Sequence, residues 1–370
     1  MKNNIKFKKA VLLGAIITSL SMAAVHASNS SNPLPKFGAV FGDVQESYSP
    51  QQIKTGIDII SKHFGLIRAY DDFGGGENYK ALMSEASQKN IQVILGIPNT
   101  QLSSKLGTVA AAKTYLAAHL YQQGTTIWPN LTAIIVGNET DTTSYGPQLA
   151  GYVNNLIAAI NSYPDNVKNK ISISIDFGPG LQENQNRQAC SINPNIINAM
   201  KAVASNPSSA DKVVFGNLYP FYAPASAIDL TTPQQMINQF AGTSTGWYPY
   251  SCAMTAMKNA GITNVNLSTG ETGWATAGNP NGTLNIGGVQ TQKTNTTKLN
   301  TYLQAYKDYI NTPSKFTGVM PYQGKTSIFF EMFDEPAKNK FPWEPHFGLD
   351  QSIDNHNGAS KPGITIPFTH

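Results

Sequence analysis

Short, nearly continuous apolar runs along this chain are separated by longer stretches in which apolar residues recur every three or four positions. The first run, FGAVFGDV, predicts a buried strand over residues 37–44. Ser49-Pro50-Gln51-Gln52 then opens a helix: Ser49 suits the cap, Pro50 the first turn, and Gln52 completes an S-x-x-Q capping box. Ile53, Ile57, Ile60 and Phe64 follow at helical spacing and give one apolar face. The same reading predicts further strands over residues 65–73, 91–98, 131–139, 171–177, 213–221, 265–274 and 327–335. Helices are predicted between them, over residues 77–89, 109–122, 147–160, 233–240 and 294–310.

Most of the strand candidates are unbroken apolar runs, as expected for parallel strands buried on both faces. Eight βα units predict an α/β fold, a single (β/α)8 TIM barrel. An open doubly wound sheet is the rival, but no G-x-G-x-x-G follows the first strand, so its dinucleotide-binding form loses its best evidence. After Glu335 the chain is rich in Pro and Gly, so the last βα unit is expected to be shortened or irregular. No repeat, linker or low-complexity segment marks a second domain.

The N-terminus carries Lys2, Lys6, Lys8 and Lys9, an apolar run from Ala10 to about Leu20, and the small-residue pattern Val25-His26-Ala27. Residues 1–27 are expected to be a secretory signal peptide, leaving 28–370 as one domain. A membrane anchor is the runner-up, but the apolar run is short for a span of about 20 residues. Removing four lysines from the 26 basic residues leaves 22, equal to the 22 acidic ones. No basic patch points to nucleic acid and no polybasic run to a membrane surface after cleavage. The chain is expected to be secreted or periplasmic, and a monomer. Cys190 and Cys252 would then lie in an oxidising compartment and are expected to pair as a disulfide. Two isolated cysteines and scattered histidines give no metal-ligand spacing. Charged residues make up only 13% of the chain, about half the usual share, and Asn, Gln, Ser and Thr supply the polarity instead. Such a surface suits uncharged, hydroxyl-rich ligands, and it also suits simple solubility.

In a barrel, chemistry gathers at the C-terminal ends of strands. Arg68 and Tyr70 close the second strand, Asn138 and Glu139 the fourth, Asn217 and Tyr219 the sixth, Glu271 and Trp274 the seventh, and Glu331, Asp334 and Glu335 the eighth. Glu139 and Glu271 stand out, because the fourth and seventh strands of a barrel lie across its rim. Two facing carboxyls, one protonated and one ionised, are what glycoside hydrolysis requires. The alternative is that Asn138 or Glu139 caps the following helix. Trp274 could stack on a sugar or pack internally, and Tyr70 and Tyr219 could equally be core residues.

Taken together these segments resemble glycoside hydrolase family 17, the β-1,3-glucanases and β-1,3-glucanosyltransferases. I-V-G-N-E ending at Glu139 resembles the family's acid/base motif, and E-T-G-W beginning at Glu271 resembles its nucleophile motif. R-A-Y at Arg68–Tyr70, N-L-Y-P at Asn217–Pro220, and F-F-E-M-F-D-E-P-A-K followed by W-E-P-H-F-G-L match three further segments. The resemblance implies a retaining double displacement with Glu139 and Glu271 catalytic and no metal or organic cofactor. It implies a β-glucan polysaccharide or oligosaccharide as partner, with Tyr70, Asn138, Asn217, Tyr219, Trp274, Glu335, Lys338 and Glu344 in substrate-site or supporting roles. Many relatives have Pro after the Trp of the nucleophile motif, where this chain has Ala275. Hydrolysis of β-1,3-glucan is the first expectation. Transglycosylation on the same site and a secreted, non-catalytic glucan-binding protein are the alternatives.

Overall fold

A computed structural model describes residues 34, 36–42, 48–123, 126–140, 144–178, 192–223, 225, 228–243, 248–282, 286, 289–353 and 361–370. The leader and Cys190 lie outside these residues, and with them the expected cleavage and the Cys190–Cys252 disulfide. Among the described residues no helix is long and apolar enough to cross a membrane.

Eight parallel strands close on themselves in chain order. They are β1 (Phe37–Val40), β2 (Leu66–Ala69), β3 (Gln92–Ile97), β4 (Leu131–Val136), β5 (Ser172–Phe177), β6 (Val213–Asn217), β7 (Asn266–Thr272) and β8 (Ser327–Phe329). β1 pairs with both β2 and β8, which completes the barrel. The principal helices outside it are α1 (Pro50–Ile60), α2 (Gly76–Gln88), α3 (Val109–His119), α4 (Leu149–Ile160), α5 (Pro194–Ala204), α6 (Pro233–Ala241), α7 (Pro249–Asn259) and α8 (Thr296–Asn311).

Local chemistry starts these helices where the sequence indicates. At α1 the Ser49 hydroxyl accepts from Gln52 N, and the Gln52 side chain accepts from Ser49 N, which satisfies two otherwise unpaired amides. Thr232 and Gln235 repeat the device at α6. Ile53, Ile57, Ile60 and Phe64 are all buried, as their spacing requires. The last unit is irregular: among the described residues only a short turn, Glu344–His346, is helical after β8. Phe368 packs instead against Phe37, Phe64 and Phe329, with ring centroids 4.6, 5.4 and 4.7 Å away, and covers the N-terminal end of the barrel.

Strand alternation sorts the core into two layers. Ile67, Ala69, Ile134, Val136, Ile173, Ile175 and Phe177 belong to the cluster shared with the helices. Val40, Leu66, Tyr70, Ile94, Ala133, Ile135, Val213, Phe215 and Ile328 form a separate cluster inside the barrel. By the same alternation Arg68 on β2, Ser172, Ser174 and Asp176 on β5, and Asn217 on β6 point inward.

β7 breaks the rule. Gly216 pairs with Thr269 and the next residue, Asn217, pairs with Glu271, so Gly270 is an extra residue on β7. The β8 side agrees, with Ser327 opposite Thr269 and Phe329 opposite Thr272. This is a β-bulge. Before it Leu267 belongs to the helix-side cluster, and Thr269 bonds the Tyr306 hydroxyl of α8 at 2.8 Å. Strict alternation from those positions would aim Glu271 at the helices too. The bulge turns Glu271 into the barrel mouth, while Thr272 bonds Tyr302 on α8.

Candidate active site

Glu139 stands three residues beyond β4, in a turn that leaves β geometry at once. Gly137 has φ +78° and Glu139 itself φ +46°, both left-handed. Few side chains take up that conformation, and its cost is met by fixing the surrounding backbone. Asn99, just after β3, does so: its Oδ1 accepts from Asn138 N at 3.0 Å and from the Thr140 hydroxyl at 3.2 Å, while its Nδ2 donates to Asn138 O at 2.6 Å. Glu139 is half-buried, and its Oε1 accepts from Asn217 Nδ2 at 3.1 Å. Its side chain lies over Gly178, where an added Cβ would come within 2.8 to 2.9 Å of Glu139 Cβ, Cγ and Cδ.

Glu271 is buried. The Tyr70 hydroxyl donates to its Oε1, and the Tyr219 hydroxyl donates to its Oε2 at 2.8 Å. Arg68 Nη1 stands 3.6 Å from Oε1, beyond hydrogen-bonding distance. Burial first, and then the negative charge of Glu271, push the Tyr219 phenol well above its usual range. Tyr219 therefore keeps its proton and stays a donor at any working pH.

Arg68 links the two carboxyls. Nη1 donates to Gly270 O at 2.8 Å and to Asn217 Oδ1 at 3.3 Å. Nη2 donates to Asn138 Oδ1 at 2.9 Å and to Asp176 Oδ2. Asn217 thus holds Glu139 through its amide nitrogen and Arg68 through its amide oxygen. Burial by itself would lower Arg68, but the charges of Asp176 and Glu271 outweigh it and hold the guanidinium above its ordinary range. Burial pushes Asp176 up against the pull of Arg68, with Glu271 and Glu139 adding to the rise. The contact decides the outcome near neutral pH: a guanidinium does not release its proton there, and the carboxylate bonded to it keeps its charge.

The C-terminal segment adds a buried triad. Lys338 Nζ lies 2.9 Å from Glu331 Oε2 and 2.7 Å from Glu335 Oε2. The ammonium sits 4.0 Å from the centre of the Phe330 ring, and Phe330 meets Tyr219 edge-on at 6.3 Å. Glu335 and Lys338 therefore stand behind the Tyr219 side of the site, fully enclosed. Glu344 is half-buried and accepts from Phe341 N at 3.1 Å. Its charge, with that of Glu139, reaches the Tyr222 hydroxyl, which burial first of all pushes far up.

Of the residues singled out in the sequence, Tyr70, Asn138, Glu139, Asn217, Tyr219 and Glu271 come together at the mouth of the barrel. Trp274 does not, and the expectation that it could stack on a sugar is corrected. It is 0% exposed, packs on Phe221 and Tyr302, and donates its indole N–H to Lys293 O at 2.9 Å. An enclosed indole has no face left for a ligand. Sequence reasoning missed Asn99, Asp176 and Gly178. Asp176 alone left a trace: in ISISIDF it is the acid at the inward positions of an alternating strand.

Residues 77–357 match the family described as glycosyl hydrolases family 17. A glucan endo-1,3-beta-glucosidase of Vitis vinifera is 24% identical over 308 residues, covering 78% of this chain and 81% of that protein. One from Nicotiana tabacum is 22% identical over 348 residues, covering 90% of each. Among solved structures, CJP38, a beta-1,3-glucanase and allergen of Cryptomeria japonica pollen, superposes with a TM-score of 0.67 at 16% identity, over 90% of this chain and 99% of that one. A Rhizomucor miehei beta-1,3-glucanosyltransferase active-site mutant with laminaritriose gives 0.57 at 16% identity, over 90% and 97%. With the family match spanning most of its length, this chain belongs to glycosyl hydrolase family 17.

Proposed function

We propose that this protein is an exported, retaining glycoside hydrolase that cleaves β-1,3-linked glucan by double displacement. The observation that carries this reading is the unequal surroundings of the two carboxyls. Glu271 accepts from two phenolic O–H groups, and a guanidinium stands 3.6 Å away, surroundings suited to a carboxylate nucleophile. Glu139 is half-buried and takes the neutral amide of Asn217. A retaining mechanism needs one carboxyl as nucleophile and one as general acid, and the donors gathered on Glu271 support giving it the first role and Glu139 the second.

In the first step Glu271 attacks the anomeric carbon, the bond to the leaving oxygen breaks, and the Glu139 proton moves to that oxygen. In the second, water attacks the glycosyl-enzyme, Glu139 takes its proton, and Glu271 is released. Asn138, beside the acid, is suited to bond a hydroxyl of the sugar. The substrate class is supported by similarity to proteins named as glucan endo-1,3-beta-glucosidases.

The test is a time course on laminarin with product chain lengths resolved. Release of shorter chains by the wild type, and its loss in Glu271→Ala, is the expected result. Undiminished turnover by Glu271→Ala would reject the assignment. Products longer than the donor would replace hydrolysis by transfer, and binding without turnover would leave a glucan-binding protein.

A further inference from the structure

The reaction above gives no task to the buried acid on β5. Asp176 is 0% exposed, and its Oδ1 has no hydrogen-bond partner among the described residues. Its other oxygen is bonded to Arg68 Nη2, so Arg68 is its anchor. Arg68 in turn could serve either acid. A guanidinium meeting a carboxylate freely forms two parallel hydrogen bonds with it. Here Nη1 is turned to Gly270 O and Asn217 Oδ1 and stays 3.6 Å from Glu271, while Nη2 is taken up by Asp176 and Asn138.

We infer that Asp176 is a positioning residue that draws the Arg68 guanidinium off the nucleophile. Anchored on the β5 side, Arg68 orients Asn138 and Asn217 without closing a full ion pair on Glu271. This inference rests on the assignment of Glu271 as nucleophile. An attacking carboxylate locked in a bidentate pair must break that pair to reach the anomeric carbon, whereas one held by two phenols keeps its charge available.

Asp176 also carries charge close to both glutamates: Glu271 and Glu139 each act on it electrostatically, Asp176 touches Arg68, and Glu139 accepts from the Asn217 amide. The other titratable groups facing these carboxyls are Tyr70 at the end of β2, Tyr219 and Tyr222 after β6, and Glu344 near Tyr222.

Asp176→Asn keeps the shape and removes the charge. On laminarin, kcat/KM is expected to fall roughly 10- to 100-fold. Both limbs of the kcat/KM against pH profile are expected to move to lower pH, by about one unit. The acid limb moves because Arg68 is released towards Glu271, and the basic limb because a negative charge near Glu139 is gone. Asp176→Glu retains the charge and is expected to leave both limbs in place even if the rate drops. Loss of activity with unmoved limbs in Asp176→Asn would mean a merely structural role and overturn the inference. If Asp176→Asn does not fold, Asp176→Glu decides: unmoved limbs support the inference and displaced limbs overturn it. A wild type that never turns over laminarin would overturn the functional assignment and this inference with it. An active wild type whose Asp176→Asn profile is unmoved would overturn this inference alone.

Discussion

Gly178 forms the floor under Glu139: a Cβ at position 178 would sit 2.8 Å from both Cβ and Cγ of the glutamate. Those atoms are close to the backbone and cannot swing away like a side-chain tip. Gly178→Ala is therefore expected to displace the acid/base carboxyl while leaving the core intact. A displacement of this kind costs up to about 100-fold in rate. Laminarin kinetics beside a thermal melt would check it: kcat/KM should fall by about 10- to 100-fold with the melting temperature nearly unchanged. Full activity in Gly178→Ala would show that the space is not needed.

Tyr219 donates to Glu271 Oε2 at 2.8 Å and keeps its proton throughout the working range. Tyr219→Phe removes one hydrogen bond to a charged group, an interaction of roughly 1.5–3 kcal/mol. The expected outcome is a kcat lower by about 10- to 100-fold with KM little changed. A variant whose KM rises while kcat holds would instead make Tyr219 a substrate contact.

Lys338 places one ammonium between two enclosed carboxyls, Glu331 and Glu335. Lys338→Met leaves both without their cation, and the fold is expected to lose about 3–5 kcal/mol in urea denaturation. Burial first, and then the charge of Glu335, hold Glu331 well above the ordinary carboxylate range. A carboxyl raised in the folded state contributes stability at low pH and loses it as pH rises through the folded value. Wild-type stability should thus decline as pH rises above the ordinary glutamate value of about 4.3, with a shallower decline in Glu331→Gln. Equal slopes in the two proteins would dismiss this account.

Asp72, just after β2, shows the opposite linkage. His119 Nε2 lies 2.9 Å from its Oδ2, while the other ring nitrogen faces Tyr115 O at 2.8 Å. The hydrogen bond from His119 is the main reason Asp72 lies below the usual aspartate range, and burial opposes it. A depressed carboxyl contributes stability above its unfolded value and loses it as pH falls through the folded one. Acid unfolding followed by circular dichroism should show wild type losing this contribution below about pH 4, whereas Asp72→Asn, less stable at neutrality, lacks that part of the slope.

Much of this was legible in the chain, and the misses have local causes. The strand predicted over residues 131–139 ends at Val136, because Gly137 and Glu139 adopt positive φ and turn the backbone out of the sheet. The helix predicted to Gln122 stops at His119, because Tyr121–Gln123 pairs with Thr126–Ile127. Trp274 was ambiguous by itself; packing against Phe221 and Tyr302 settled it as a core residue. Asn99 carried no signal, since its task is to hold a turn 39 residues further along.

The order of the strands, the cap of α1 and the placing of acids at strand ends were determined by the sequence alone; the helices Pro194–Ala204 and Pro249–Asn259 were not read from it. Apolar period and capping chemistry act between near neighbours, so they can be read along the chain. Which way Glu271 faces was decided only by tertiary structure. Counting from Leu267 and Thr269, alternation sends it to the helices; the extra residue at Gly270, visible only in the pairing with β6 and β8, turns it inward. The sharing of Arg68 between Asp176 and the site is of the same kind. It depends on strands 108 positions apart in the chain being brought within a hydrogen bond of one another.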